Sequence, residues 1–299
     1  MAVTSREDGG FRASLPVVLT VARVKRENAE MVTLSFARPE ASEAAAQGLD
    51  LDEFRPGRFL MVWLPRLDEK PYALASLDAR SLGITVQRRG PFSTRLCELK
   101  RGAQVGLRGP FGRGFWDVEK SARSSRVALV GGGCGTAVLA PLAERLPRAA
   151  FVQGANTAGV LLYRDRFPNQ VIFTDDGTAG RQGFPTEWVE EQARRKRLAM
   201  VYTCGPEAMM AALADVCRRY GVGCQVSMER YMKCGIGVCG QCDCDGRRVC
   251  VEGPTFSLEE LADMPSFGRI RRDRTGRRID VAGAEQCPSA PRAPHSPGG

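Results

Sequence analysis

The sequence predicts an antiparallel β barrel, then a doubly wound parallel α/β domain, then a small cysteine-rich C-terminal module. Three observations predict it. From Leu15 to about Gly109, short alternating apolar runs are punctuated by Gly and Pro, the pattern of half-buried antiparallel strands. From Arg126 onward, apolar strands alternate with helical stretches, which implies crossover connections and a parallel sheet. Near the C-terminus, Cys234, Cys239, Cys242 and Cys250 are spaced C-x4-C-x2-C-x7-C.

Within the barrel segment the expected strands include Val17–Val24, Met31–Phe36, Phe59–Leu64, Gly83–Arg88 and Gln104–Arg108. One helix, Thr94–Lys100, follows Gly90-Pro91-Phe92-Ser93. In the α/β segment the strands are Val127–Val130, Ala150–Gln153, Val171–Thr174, Leu198–Thr203 and Cys224–Ser227. Helices are expected from the glycine run through Arg145, over Pro185–Lys196 and over Pro206–Tyr220. The expected units are 15–120, 121–226 and 227–283. Residues 1–14 and the Pro-rich tail 284–299 are expected to be disordered.

Composition narrows the function. Of 299 residues, 43% are apolar and 26% charged, as in an ordinary globular protein. No run reaches the ~18–20 apolar residues of a membrane span, and no secretory signal is expected at the N-terminus. Eleven cysteines, odd in number and clustered, suit a reducing cytoplasmic compartment and metal ligation. The net charge of +9 is scattered rather than gathered into an aromatic-interleaved stripe, so nucleic-acid binding is not expected. The one histidine, His295, sits in the tail. No Ser-His or Cys-His couple and no Rieske centre is therefore available to the folded body.

The first three cysteines have the spacing of a plant-type [2Fe–2S] site. Structural zinc is the competing use of four thiolates, but zinc ribbons pair two C-x2-C knuckles and only one is present. Gly235, Gly237 and Gly240 let the backbone wrap and aim N–H groups at sulfur, which suits a cluster. Cys244 remains an alternative to Cys242, which keeps the ferredoxin spacing. The run Gly131-Gly132-Gly133-Cys134-Gly135 after a strand suits a diphosphate at a helix start. No acid ends the next strand, unlike a standard dinucleotide fingerprint. A plain structural turn is the competing explanation. Thr203-Cys204-Gly205-Pro206 lies where a parallel strand ends, the ligand edge of such sheets; a small buried hydrophobe is the other use of Cys204. Lys70-Pro71-Tyr72-Ala73 and Gly90-Pro91-Phe92-Ser93-Thr94 are by themselves compatible with barrel core and an N-cap.

Together these motifs, in this order, resemble the ferredoxin–NAD(P)H reductase superfamily. They are most similar to its branch with a C-terminal [2Fe–2S] insert, the electron-transfer subunits of class 1B dihydroorotate dehydrogenase. The resemblance spans about residues 15–282. It implies that Tyr72 packs on the FAD ring, with Lys70, Pro71 and Ala73 on the same strand, Lys70 toward the phosphates. Lys70 stands for the usual Arg and Ala73 for the usual Ser or Thr. It implies that Gly90, Ser93 and Thr94 receive the FAD diphosphate. Gly131, Gly132, Gly133, Gly135 and Asp176 would form the nicotinamide-nucleotide site, with Cys204, Gly205 and Pro206 beside the nicotinamide. NAD is favoured because Gly154-Ala155-Asn156 has no adjacent Arg for a 2′-phosphate. The partner implied is an FMN-containing dihydroorotate dehydrogenase catalytic subunit, in a heterotetramer, with electrons passing through [2Fe–2S] and FAD to NAD⁺ in pyrimidine biosynthesis. The seven-residue gap before Cys250 also resembles flavin subunits of cytoplasmic sulfhydrogenases and anaerobic sulfite reductases. A non-catalytic redox sensor built on the metal loop is the reading from another class.

Overall fold

A computed structural model describes residues 15–281. The terminal segments expected to be disordered, 1–14 and 284–299 with Cys287 and His295, lie outside the described residues. Six strands close an antiparallel barrel in the order β1-β2-β5-β4-β3-β6. They are β1 (Val17–Arg26), β2 (Met31–Ala37), β3 (Phe59–Leu64), β4 (Asp68–Leu77), β5 (Ser81–Gln87) and β6 (Gln104–Phe111). Alternation turns Leu34, Phe36, Leu60, Leu74 and Ile84 into the barrel's interior, each at most 1% exposed.

Two helices interrupt the barrel where one was expected. The alanine-rich α1 (Ala41–Ala46) is capped by Glu40, whose carboxylate accepts the Glu43 N–H. The helix α2 covers Pro91–Cys97 rather than Thr94–Lys100. Its start is set by Pro91, whose fixed φ and missing N–H suit the first turn. Ser93 closes it by accepting the Gly90 N–H at 3.0 Å.

After α3 (Val118–Ala122) the chain enters β7 (Val127–Gly132), α4 (Thr136–Arg145), β8 (Ala150–Ala155), β9 (Val171–Thr174), β10 (Arg181–Gln182), α5 (Pro185–Arg194), β11 (Met200–Cys204), α6 (Glu207–Tyr220) and β12 (Gly223–Ser227). The sheet order is β10-β9-β8-β7-β11-β12, and a seventh strand follows β12. That strand is contributed by the C-terminal module, which comprises β13 (Asp243–Cys244), β14 (Arg247–Arg248), α7 (Val249–Glu252), β15 (Thr255–Ser257), α8 (Leu258–Ala262), β16 (Ile270–Arg272) and β17 (Arg278–Asp280). β15 pairs antiparallel with β12, so the sheet is mixed rather than wholly parallel.

The three parts share buried surface. Met31 and Ala75 of the barrel pack with Ala137 and Ala140 of α4. Small side chains there let the helix lie close to β4. A second shared core joins Phe59 and Met61 of β3 to Met210 of α6 and to Met232, Cys242 and Val249 of the module. Burial of this kind stabilises by roughly 25 cal/mol per Å² of apolar surface, so the module is fixed to both larger units.

Candidate functional site

The sheet reverses its winding between β7 and β11, and ligands of open α/β sheets sit at such a switch point. Both strands end there in the predicted motifs: Cys204 pairs with Gly131 in the parallel register. The turn Gly131-Gly132-Gly133-Cys134-Gly135 leads directly into α4. A Cβ on Gly135 would lie 2.4 Å from the Cys204 carbonyl oxygen. Only glycine lets the helix start press against the end of β11. Pro206 is exposed, while Cys204 and Gly205 are buried. Burial raises the Cys134 thiol to about 12 and the Cys204 thiol well above its ordinary value. Both stay neutral, as apolar walls rather than nucleophiles. Asp176 follows β9 along the same edge. It is exposed and accepts bonds from Thr178, N at 3.0 Å and Oγ1 at 2.6 Å. It thus shapes a turn two strands away from Gly131.

The barrel wall of this cleft carries Tyr72, whose ring lies 6.4 Å from that of Phe92 at 24°. Burial raises the Tyr72 phenol, and Cys134 and Cys97 add to the shift. Cys134 of the glycine turn reaches the Thr85 carbonyl of β5 at 4.0 Å, beside the strand β4 that carries Tyr72. Ser93 is buried and its hydroxyl accepts the N–H groups of Arg89 and Gly90 at 2.9 and 3.0 Å. Its side chain is occupied in capping, whereas Thr94 is half-buried. Lys70 points elsewhere: its ammonium donates to the Tyr231 hydroxyl at 3.0 Å and pairs with Asp68 at 2.5 Å. Pro71 and Ala73 are half-buried on the same strand, and Ala73 pairs with Phe59 across β3.

The cysteine loop packs on the adjacent strands β3 and β6. A Cβ on Gly235 would meet Met61 at 2.9 Å. Arg108 of β6 is held by both Glu69 oxygens at 2.6 Å and donates to the Cys234 carbonyl at 2.8 Å. Gly237, at φ +80°, turns its N–H toward Cys250 Sγ at 3.2 Å, and the Cys250 N–H points at Cys242 Sγ at 3.4 Å. Burial opposes ionisation of Cys234, but the N–H groups of Cys239 and Ile236 outweigh it and bring the thiol down to about 6. Burial and the neighbouring Cys242 push Cys250 up to about 12. The sulfurs thus approach as two pairs, Cys234 with Cys239 and Cys242 with Cys250. Among the described residues no three metal-binding side chains close round a single ion position. Backbone N–H groups aimed at thiolates are the donor set that an iron–sulfur cluster uses. Cys244 is turned away and accepts from Arg230 Nη2 at 3.3 Å.

Residues 229–262 match the family model described as the iron-sulfur cluster binding domain of dihydroorotate dehydrogenase B. A protein of Methanothermobacter thermautotrophicus named "Probable dihydroorotate dehydrogenase B (NAD(+)), electron transfer subunit" is 40% identical over 278 residues, covering 89% of this chain and 98% of that protein. The chain belongs to the dihydroorotate dehydrogenase B electron-transfer subunits. The Methanocaldococcus jannaschii protein of the same name is 39% identical over 236 residues, 76% of this chain and 88% of its own. Among solved structures, an NADH-dependent reduced ferredoxin-NADP oxidoreductase superposes with a TM-score of 0.69 at 24% identity, covering 84% of this chain and 93% of that one. That likeness shows the fold.

Spacing alone did not single out three charged residues of this electron-transfer subunit. Glu229 keeps an exposed surface yet its carboxyl is crowded by protein. Burial raises its carboxyl, with Arg89 and then Arg271 opposing. Glu207 and Arg230 form a buried ion pair, their side chains 6% and 2% exposed. Charged residues without a motif give no sequence signal of burial; the only hint was that Glu229 and Arg230 stand in the stretch leading to Cys234.

Proposed function

We propose that this subunit relays electrons between an FMN-containing dihydroorotate dehydrogenase catalytic subunit and NAD⁺, in a heterotetramer serving pyrimidine biosynthesis. One observation carries it: the cleft lined by Tyr72, Gly131 and Cys204 and the loop of Cys234, Cys239, Cys242 and Cys250 pack on adjacent barrel strands, β4, β3 and β6. Two sites on one rigid support suit transfer between them. FAD bound in the cleft would link single-electron traffic at a [2Fe–2S] cluster to two-electron exchange with the nicotinamide.

The chain's own residues then have distinct tasks. Tyr72 and Phe92 supply aromatic wall, and Thr94 with the N–H groups near Gly90 offers donors for a diphosphate. Gly131, Gly132, Gly133 and Gly135 keep the nucleotide edge free of side chains. Neutral Cys204 stands beside the place for the nicotinamide. Lys70, held by Asp68 and Tyr231, fixes the junction of barrel and module. The exposed cluster-loop residues Ile236, Val238 and Val251, 40%, 73% and 44% exposed, surround the exposed Cys239 and form the face offered to the partner.

The test is the anaerobically purified chain. It is expected to show flavin bands with iron–sulfur absorbance that dithionite bleaches, and to reduce dyes with NADH. It should turn no dihydroorotate into orotate until the catalytic subunit is added. A colourless protein holding zinc would overturn the relay. Dihydroorotate oxidation by the chain alone would overturn the division of labour.

A further inference from the structure

Glu207 is the first residue of α6 and directly follows Cys204-Gly205-Pro206. Its carboxylate receives both terminal nitrogens of Arg230, one at 2.8 Å and the other closer. It also accepts the Gly268 N–H at 2.8 Å. The same Arg230 guanidinium donates to the Glu229 carbonyl at 2.9 Å and to Cys244 Sγ at 3.3 Å. Cys244 ends β13, the first strand of the hairpin that separates Cys242 from Cys250. One carboxylate thus ties four segments together: the turn at the nucleotide edge, the stretch leading to Cys234, the hairpin inside the cysteine loop and the C-terminal segment.

Stability alone is a poor account of the pair. Desolvating two charges offsets most of their attraction, and apolar replacements of similar volume are often neutral or better. A planar fork gripping a carboxylate does fix direction, which an apolar contact does not. Arg230 Nε is buried with no partner, so the guanidinium's orientation is set by its two terminal nitrogens.

We propose that Glu207 and Arg230 are positioning residues that lock the Cys242–Cys250 half of the cysteine loop to the nucleotide-binding turn, with Cys244 as the contact they hold. The spectroscopic arm of the test rests on the cluster assignment above; the thiol arm does not.

Three variants test it: Glu207→Gln, which keeps the shape and loses the charge; Arg230→Lys, which keeps the charge and loses the fork; and Glu207→Met with Arg230→Met, which removes both charges. The full chain is treated with N-ethylmaleimide under native conditions and labelling of Cys244 is followed by peptide mass spectrometry. Labelling is expected to rise at least tenfold in each variant. The reduced, cluster-loaded variants are expected to give broadened electron paramagnetic resonance lines, from a spread of cluster geometries. The double variant is the deciding one, because it is expected to melt close to the wild type while still releasing the loop. If it folds with native Cys244 protection and native lines, the pair only stabilises and the proposal falls. If it does not fold, Arg230→Lys decides by the same two readouts. Should the wild type hold no cluster, the relay fails while Cys244 labelling still decides the positioning role.

Discussion

At Glu229 two effects oppose each other. Crowding by protein disfavours the charged carboxylate, while Arg89 and Arg271 favour it, and crowding wins. The folded chain therefore holds this proton more tightly than the unfolded chain, whose carboxyl has its ordinary value near 4.5. The favourable contribution is complete below that value and is lost as pH rises through the folded value. Glu229→Gln carries no such dependence. In flavin-free protein, its melting temperature minus that of the wild type should grow as pH climbs from about 4 and then level off. A difference independent of pH would show that the carboxyl is not shifted. The two neighbouring cysteines divide in a parallel way. Cys242 shares its pair with Cys250, while Cys244 is held by Arg230. Cys242→Ser is expected to abolish the iron–sulfur absorbance. Cys244→Ser, which keeps an acceptor for Arg230, is expected to retain it, and the reverse result would exchange their roles.

Among the elements, the glycine turn shows what a sequence reveals and what it hides. Its place between an apolar strand and a helix was legible, because strand and helix have different periods and glycine interrupts both. The reason for Gly135 was not, since the Cys204 carbonyl that crowds it lies on a strand far along the chain. Gly135→Ala must move one of two backbones. It is expected to cost about 1–3 kcal/mol, seen as a lowered melting temperature, and to depress NADH-dependent dye reduction. Native stability and activity together would mean that the turn has slack. The same contrast runs through the other elements. Alternation marked most barrel strands, but α2 begins at Pro91 because capping by Ser93 outweighs the helical stretch after it. The three residues of β15 carry no strand pattern of their own. They become a strand by pairing with β12 across the whole cysteine loop. Glu207 and Arg230 were invisible for the same reason, being 23 residues apart with no shared periodicity.

Over the whole molecule, the arrangement separates the edge proposed for nucleotide from the loop proposed as the docking face. The cleft lies between barrel and sheet, where Cys134 of the glycine turn reaches the Thr85 carbonyl of β5. The loop projects beyond β3, with Cys239 exposed and Ile236 and Val238 beside it at 40% and 73% exposure. Isolated apolar side chains at a surface are ordinary. Two of them beside an exposed loop cysteine, with Val251 packed against Gly237, are the composition of an interface centre. Burial of such side chains in a complex is worth about 1 kcal/mol each at roughly 25 cal/mol per Å². Replacing both, as Ile236→Ser with Val238→Ser, should therefore weaken binding of the catalytic subunit by about 30-fold. Dye reduction by the isolated subunit should stay at the wild-type rate, because neither side chain reaches the cleft. Titration of the catalytic subunit, followed by the appearance of dihydroorotate-dependent NAD⁺ reduction, separates the two quantities. Unchanged affinity would move the docking face away from the loop, and the route from partner to cleft would then have to enter through the barrel.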